Sequence, residues 1–208
     1  MVKYTLGNYK CHKCDYYHKP NIGLNEGLVT WICPSCKAVN HVLIDPVNMQ
    51  AGHKLVLAGL QAANEKDYDI AAVLYYSAID ASLSNGIINL QNWRILKSNK
   101  AHIPIEKIKG QLRRRNLKQK VEWFQELSGT TIDAQVASKA HVLNKLANRI
   151  SAARLKEKCE LLGNERHKFL HYGEPVDANV VGSSVNWVIA SITIIISMEQ
   201  DVIRGKFS

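Results

Sequence analysis

Four of the chain's five cysteines fall in two matched pairs, Cys11-His12-Lys13-Cys14 and Cys33-Pro34-Ser35-Cys36, with eighteen residues between them. Each C-x2-C step is a tight turn that aims two thiolates at one ion, and this spacing is that of a structural zinc ribbon. Residues 1–44 therefore read as a small unit folded around tetrahedral zinc, with Cys11, Cys14, Cys33 and Cys36 as its ligands. So few residues bury too little apolar surface to fold unaided, and metal binding supplies the missing free energy. Between the knuckles, Tyr16 to Trp31 reads as a short hairpin turned by the stretch Asn21-Ile22-Gly23-Leu24-Asn25-Glu26-Gly27. His12 and His18 lie nearby, but four thiolates already fill a tetrahedron, so both read as exposed neighbours of the site. Lys10, Lys13, Lys19, Tyr16, Tyr17 and Trp31 suit contact with nucleic acid, and docking of a protein suits such a ribbon equally. The opening Met1-Val2-Lys3-Tyr4-Thr5 lacks the apolar core of a signal peptide. Paired cysteines without an export signal favour metal over disulfides, and with it a soluble cytoplasmic protein.

Asp45-Pro46 marks a boundary, and residues 45–208 are helical in pattern. Val47 to Asn64 and Asp69 to Leu83 carry apolar residues at helical period and should pack antiparallel across Glu65-Lys66-Asp67. Asn85-Gly86 reads as the end of the second helix. A further helix is expected from about Ala134 to Leu162, capped by Thr131 or Asp133 and closed by Gly163-Asn164. Cys159 within it reads as a small buried hydrophobe rather than a nucleophile. The last helix runs from Val176 to Ile203. It holds the longest uncharged stretch, twenty-one residues from Ala178 to Met198, which is long enough to span a bilayer. Its load of Asn, Ser, Thr and Gly makes it a buried helix instead, apolar nearly all round and suited to meeting a second subunit.

The net charge of +9 comes from one place: residues 91–120 hold ten cations against one acid, Glu106. Pro104 and Gly110 interrupt the run. Such a segment is either a solvated face or an electrostatic cradle for RNA phosphates. Arg113, Arg114, Arg115, Lys118 and Lys120 are the candidates for phosphate contact, Arg above all because it pairs bidentately. Trp93, Trp123 and Phe124 flank the run and read as core. Aromatic residues make up only 7% of the chain, which argues against a large base-stacking platform.

Directly after Gly163-Asn164 comes Glu165-Arg166-His167-Lys168-Phe169-Leu170-His171-Tyr172-Gly173. On a helix His167 and His171 share a face, and Arg166 lies about 140° round from His171. A long side chain at a helix start can still bring guanidinium beside imidazole. An Arg and a His on one phosphate suit metal-free RNA cleavage: the imidazole moves a proton, the guanidinium holds charge building on phosphate oxygens. The i, i+4 histidines also suit a metal, but no Glu or Asp within the motif completes such a site. By spacing alone, a structural Arg and surface histidines fit the pattern too.

The order of elements, with the sequence Arg166, His167, Lys168-Phe169-Leu170, His171 placed ahead of an apolar last helix, resembles the HEPN family (higher eukaryotes and prokaryotes nucleotide-binding). The family's motif is Arg, a polar residue, three residues, then His. Tyr68 to Ala81 is similar to the family's Ala-rich second helix, with Asp80 where an acidic residue is often seen. The resemblance covers about residues 47–204, and the long basic insert departs from it. It implies a mainly α protein: a four-helix bundle that forms a parallel homodimer with two Arg/His motifs in one cleft, here joined to a small zinc-ribbon β-hairpin domain. It implies a metal-independent endoribonuclease, a toxin or antiviral defence effector, with an antitoxin or sensor protein as a further partner. In that reading His171 is general base on the ribose 2′-OH or general acid on the leaving 5′-oxygen, and the second subunit's copy takes the opposite role. Arg166 stabilises the pentavalent phosphate, His167 positions it, and Asp80 fixes an imidazole tautomer. Other members keep the fold, lose the chemistry and only bind RNA or nucleotides, so a non-catalytic nucleic-acid-binding or protein-docking module is the alternative. A zinc-ribbon transcription regulator on DNA fits less well, for want of a recognition-helix pattern.

Overall fold

The structure is a computed structural model that describes residues 9–11, 13–14, 16–18, 28–43, 51–98, 103–143 and 151–205. It is mainly helical, with seven helices among the described residues. The chain divides into two compact units, Met1–Met49 and Gln50–Ser208.

In the first unit, β1 (Tyr9–Lys10) pairs antiparallel with β2 (Tyr17–His18), and β3 (Leu28–Ile32) with β4 (Val39–Leu43). The pairing thus runs across each cysteine knuckle. Among the described residues β2 and β3 are not partners, and the two hairpins seen there turn at the knuckles themselves. The physical reason is local. The Cys11 amide donates to the Tyr16 carbonyl at 2.8 Å and the Cys33 amide to the Ala38 carbonyl at 2.9 Å, closing each C-x2-C loop at its base. Residues 19–27, with Lys19 and the expected turn, and His12 lie outside the described residues.

The second unit is built on α2 (Tyr68–Ser98), 31 residues and about 46 Å long. Around it pack α1 (Ala51–Asn64), α3 (Ile105–Arg113), α4 (Leu117–Ser128), α6 (Ala152–Tyr172) and α7 (Ala178–Ile203); α5 (Ile132–Leu143) lies against α6 and α7. Ala71, Tyr75, Ala78, Ile79, Leu83, Ile87 and Leu90 of α2 are buried, recurring every three to four residues. α1 runs antiparallel to α2, with Gly52 beside Ser82 and Gly59 beside Tyr75. Lys66 turns the chain between them at φ 65°, a left-handed conformation normally left to glycine.

Two glycine signals that read as helix ends are interior. α2 continues through Asn85-Gly86 for another three turns, because Gly86 is where the Phe124 ring of α4 approaches: a Cβ there would lie 2.7 Å from Phe124 Cε2. α6 continues through Gly163-Asn164, and a Gly163 Cβ would lie 3.1 Å from the Tyr76 ring. The single helix expected over 134–162 is two, α5 and α6, with a fresh start where the Ser151 side chain accepts from the Arg154 amide at 3.2 Å. α6 ends one residue after His171, at Gly173 with φ 65°. The motif therefore occupies the last turns of a helix rather than the first.

The last helix matches its expectation closely. Asp177 caps α7, accepting from the Asn179 amide at 2.8 Å. α7 is long and apolar enough to cross a membrane, with a mean hydropathy of 1.8 over its most apolar window, and Val181, Val188, Ile192, Ile195 and Met198 are buried within this unit.

Candidate functional site

In the first unit, Cys11, Cys14, Cys33 and Cys36 come together, all four sulfurs within 4.8 Å of one another. Cys11 Sγ lies 3.6 Å from Cys36 Sγ, and Cys14 Sγ 3.6 Å from Cys33 Sγ. A disulfide needs about 2.05 Å. Four sulfurs bound tetrahedrally at about 2.3 Å would stand about 3.8 Å apart, which is close to the distances seen. The cluster can hold a metal ion. Cys11 and Cys33 are fully buried, with Cys36 and Ala38 against them, while Cys14 is exposed. The Ala38 amide favours the Cys36 thiolate, but burial and the neighbouring sulfurs of Cys14, Cys11 and Cys33 outweigh it and push the thiol up to about 12. Sulfurs this crowded accept negative charge together only around a cation, which is what a metal supplies.

In the second unit, two hydrogen bonds seat the end of α6. Buried Glu165 accepts from Lys168 Nζ at 2.8 Å and from the Asp177 amide at 2.7 Å, tying α6 to the start of α7. The Lys168 ammonium, and the Asp177 amide after it, hold the Glu165 carboxyl below the usual range against the opposing effect of burial. Asp69 of α2 accepts from the Val176 amide at 2.9 Å, closing the other side of the same loop.

On that fixed helix end the motif divides. His167 and His171 are both exposed, with ring centroids 4.4 Å apart at 43°, and Tyr172 lies edge-on to His167 at 5.5 Å. Arg166 instead faces an open cleft of about 620 Å³ between α2, α3, α4 and α6, and neither imidazole is among the residues that line it. Its guanidinium carbon sits 5.0 Å from the centre of the Tyr76 ring, and its Nε is buried with no hydrogen-bond partner among the described residues. Burial raises the Tyr76 phenol above its ordinary value, outweighing the Arg166 charge that pulls the other way.

The basic run splits between this cleft and open surface. Arg113 and Arg115 line the cleft; Arg114 and Lys118 are exposed and do not. Arg115 also lies over the Trp123 ring at 4.5 Å. Lys120 lines the cleft but is buried, its Nζ donating to both oxygens of Asp80 at 2.7 and 2.8 Å and to Ser84 Oγ at 3.3 Å. Asp80 therefore serves Lys120 rather than an imidazole, and Lys120 is not free to take a phosphate. The reason is placement: Asp80 and Ser84 sit one and two turns along α2 from Tyr76, on the face turned to α4. Lys100 and the side chains of Lys97 and His141 lie outside the described residues.

Sequence reasoning passed over Tyr76 and Lys109 as cleft residues. The i, i+4, i+8 spacing of Tyr76, Asp80 and Ser84 carries the signal, since it sets three polar groups on one face of an otherwise apolar helix. No family model, no curated protein and no solved structure matches this chain.

Proposed function

We propose that this chain is a HEPN-type, metal-independent endoribonuclease with an N-terminal zinc ribbon, acting as a cytoplasmic homodimer. The observation that carries the reading is the exposed imidazole pair at the end of α6, within one turn of a guanidinium that enters a cationic cleft. RNA lies along Arg113 and Arg115. One His171 takes the proton of a ribose 2′-OH, whose oxygen attacks phosphorus. A second imidazole, from the facing subunit, gives a proton to the departing 5′-oxygen. The P–O5′ bond breaks, leaving a 2′,3′-cyclic phosphate and a 5′-hydroxyl. Arg166 steadies the charge on the non-bridging oxygens. Half-buried Trp187, Ile189 and Ile196 of α7, with exposed Leu170 and Tyr172 of α6, offer apolar surface for the seam. Toxin and defence roles, with an antitoxin or sensor partner, belong to the same proposal.

In the ribbon, zinc suits four thiolates at these distances, and iron is the other metal such a set takes. Cys11, Cys14, Cys33 and Cys36 hold it, and it supplies folding free energy rather than chemistry. Metal analysis of the purified protein separates the two.

The test is incubation of purified protein and His171→Ala with RNA in EDTA, followed by mapping of the ends. Loss of about 10²–10⁴ in rate with unchanged circular dichroism is expected. Equal cleavage by the two proteins sinks the assignment. A second reading, a binding module without turnover, is favoured by the way Arg166 and the imidazoles diverge within one chain. RNA binding that survives His171→Ala, with no cleavage by either protein, selects it.

A further inference from the structure

We propose that His167 and His171 form a second metal site, on the helical unit, which takes an exchangeable divalent transition ion of the zinc, nickel or copper class. Binding does not rest on the ribonuclease reading; only its effect on cleavage does. The two residues stand four apart in the last turns of α6, so their side chains leave the same face of the helix. Their ring centres are 4.4 Å apart and the planes are tilted by 43°. A zinc–nitrogen bond is about 2.0–2.1 Å, so two imidazole nitrogens on one ion stand about 3 Å apart. Rings with these centres reach that separation by turning about their own side-chain bonds, and both are exposed enough to turn.

The surroundings favour a cation. Both permanent cations of the motif are drawn off the imidazole face. Lys168 Nζ donates to Glu165 at 2.8 Å, and the Arg166 guanidinium enters the cleft beside the Tyr76 ring. α6 ends at Gly173, so the pair lies at the negative end of a 21-residue helix. Exposed Glu174 follows directly. The backbone that carries the pair is also fixed in advance. Glu165 holds the Asp177 amide at 2.7 Å and Asp69 holds the Val176 amide at 2.9 Å, on either side of the loop that follows. An ion arriving there has little chain to order.

The number of ligands decides the kind of site. A structural zinc site closes its shell with four protein ligands, as the cysteine quartet can. His167 and His171 supply two and leave the other positions to water, so no acid within the motif is needed and the ion exchanges. Imidazole suits zinc, nickel and copper, whereas magnesium and calcium prefer oxygen. Once one imidazole has bound, the second binds intramolecularly, so neither residue alone should hold the ion well. A bound ion occupies the nitrogen lone pairs, and His171 then cannot take up a proton. On the ribonuclease reading the ion is therefore an inhibitor, and a chelator restores activity.

The experiment is titration calorimetry of the full-length protein, already carrying one zinc per chain, with zinc chloride as titrant. Proton–nitrogen correlation spectra of the imidazoles accompany it. One further ion per chain should bind, the His167 and His171 signals should shift together, and magnesium should do neither. His167→Ala and His171→Ala should each weaken this second event by about tenfold or more. His141→Ala, on α5, should leave it unchanged. Adding Leu170→His to His171→Ala restores a same-face pair at i, i+3 and should recover most of the affinity, which a merely structural loss would not allow. The proposal is overturned if no second event appears at sub-millimolar zinc, if only one of the two imidazoles shifts, or if His141→Ala acts like the other two. Saturating zinc that leaves RNA cleavage unchanged overturns the inhibitory role. Cleavage is read in EDTA and zinc binding without RNA, so either reading can fail alone.

Discussion

Two units of one chain stay folded by different means. In the first, the described strand pairs are two and five residues long, and the buried cluster is Cys11 and Cys33 with Cys36 and Ala38 against them. In the second, a 31-residue helix is wrapped by others, and Tyr75, Phe124, Leu83, Ile87, Ile192 and Met198 have less than 2% of their surface exposed. One unit concentrates its stability in four sulfurs around a single point. The other spreads it over dozens of side chains, none of which is decisive. A concentrated design should fail all at once when one ligand goes, whereas a distributed one should lose stability by degrees.

Metal removal should show the largest difference. Binding at a structural four-ligand site is worth about 10–16 kcal/mol, more than a unit this small can replace by packing. Cys33→Ser, or prolonged chelation, should abolish hydrogen-exchange protection of the β3 and β4 amides. Far-ultraviolet circular dichroism from the helices should hardly change. Protected strand amides in metal-free protein would show that packing, not the ion, holds the first unit.

Glycine substitutions should sharpen the same comparison inside the helical unit. Gly to Ala in a helix gains about 0.5–1 kcal/mol from backbone entropy alone, while overpacking a filled core costs about 1–3. At Gly59 a new Cβ would stand 2.6 Å from the buried Tyr75 ring, and at Gly86 2.7 Å from the buried Phe124 ring. Neither ring has free space to move into, so the cost wins and both variants should lose about 1–2 kcal/mol in urea denaturation. At Gly182 nothing stands within 4 Å among the described residues, and Gly182→Ala should gain about 0.5–1 kcal/mol. Equal effects at the three positions would mean that close approach does not explain these glycines.

Those glycines also mark where the sequence stops being readable. The cysteine quartet and the start of α7 are legible because their cause is local: a C-x2-C step closes on itself, and Asp177 caps the amide two residues on. Gly86 and Gly163 look the same in sequence as helix-ending glycines, since nothing nearby in the chain announces Phe124 or Tyr76. The Asp80–Lys120 pair spans forty positions and leaves no periodic trace. The divergence of Arg166 from His171 follows from helical geometry, about 140° over five residues. Which of the two would face a neighbouring helix depends on how α6 packs on α2, which only the fold decides.

The smallest expected effect sets two buried acids of the helical unit against each other. Glu165 is held below the usual carboxylate range, first by Lys168, so its ionised form is favoured in the folded state. Its contribution is present above the unfolded carboxylate pKa and is lost as pH falls through the lower folded value. Glu199 of α7 goes the other way. Burial raises it, and the Asn89 amide that donates to Oε1 at 2.8 Å offsets this only in part. Its cost is absent in acid and sets in as pH rises from the unfolded pKa through the higher folded one. Glu165→Gln should therefore lower Tm at neutral pH and lose its effect in acid. Glu199→Gln should raise Tm at neutral pH and be without effect in acid, because the parent residue is then neutral in both states. Thermal melts of the three proteins across the acid-to-neutral range read both signs. A Glu199→Gln variant that melts below the parent at neutral pH would show that the Asn89 hydrogen bond outweighs burial, and that this polar contact inside α7 holds the helix in place rather than being tolerated by it.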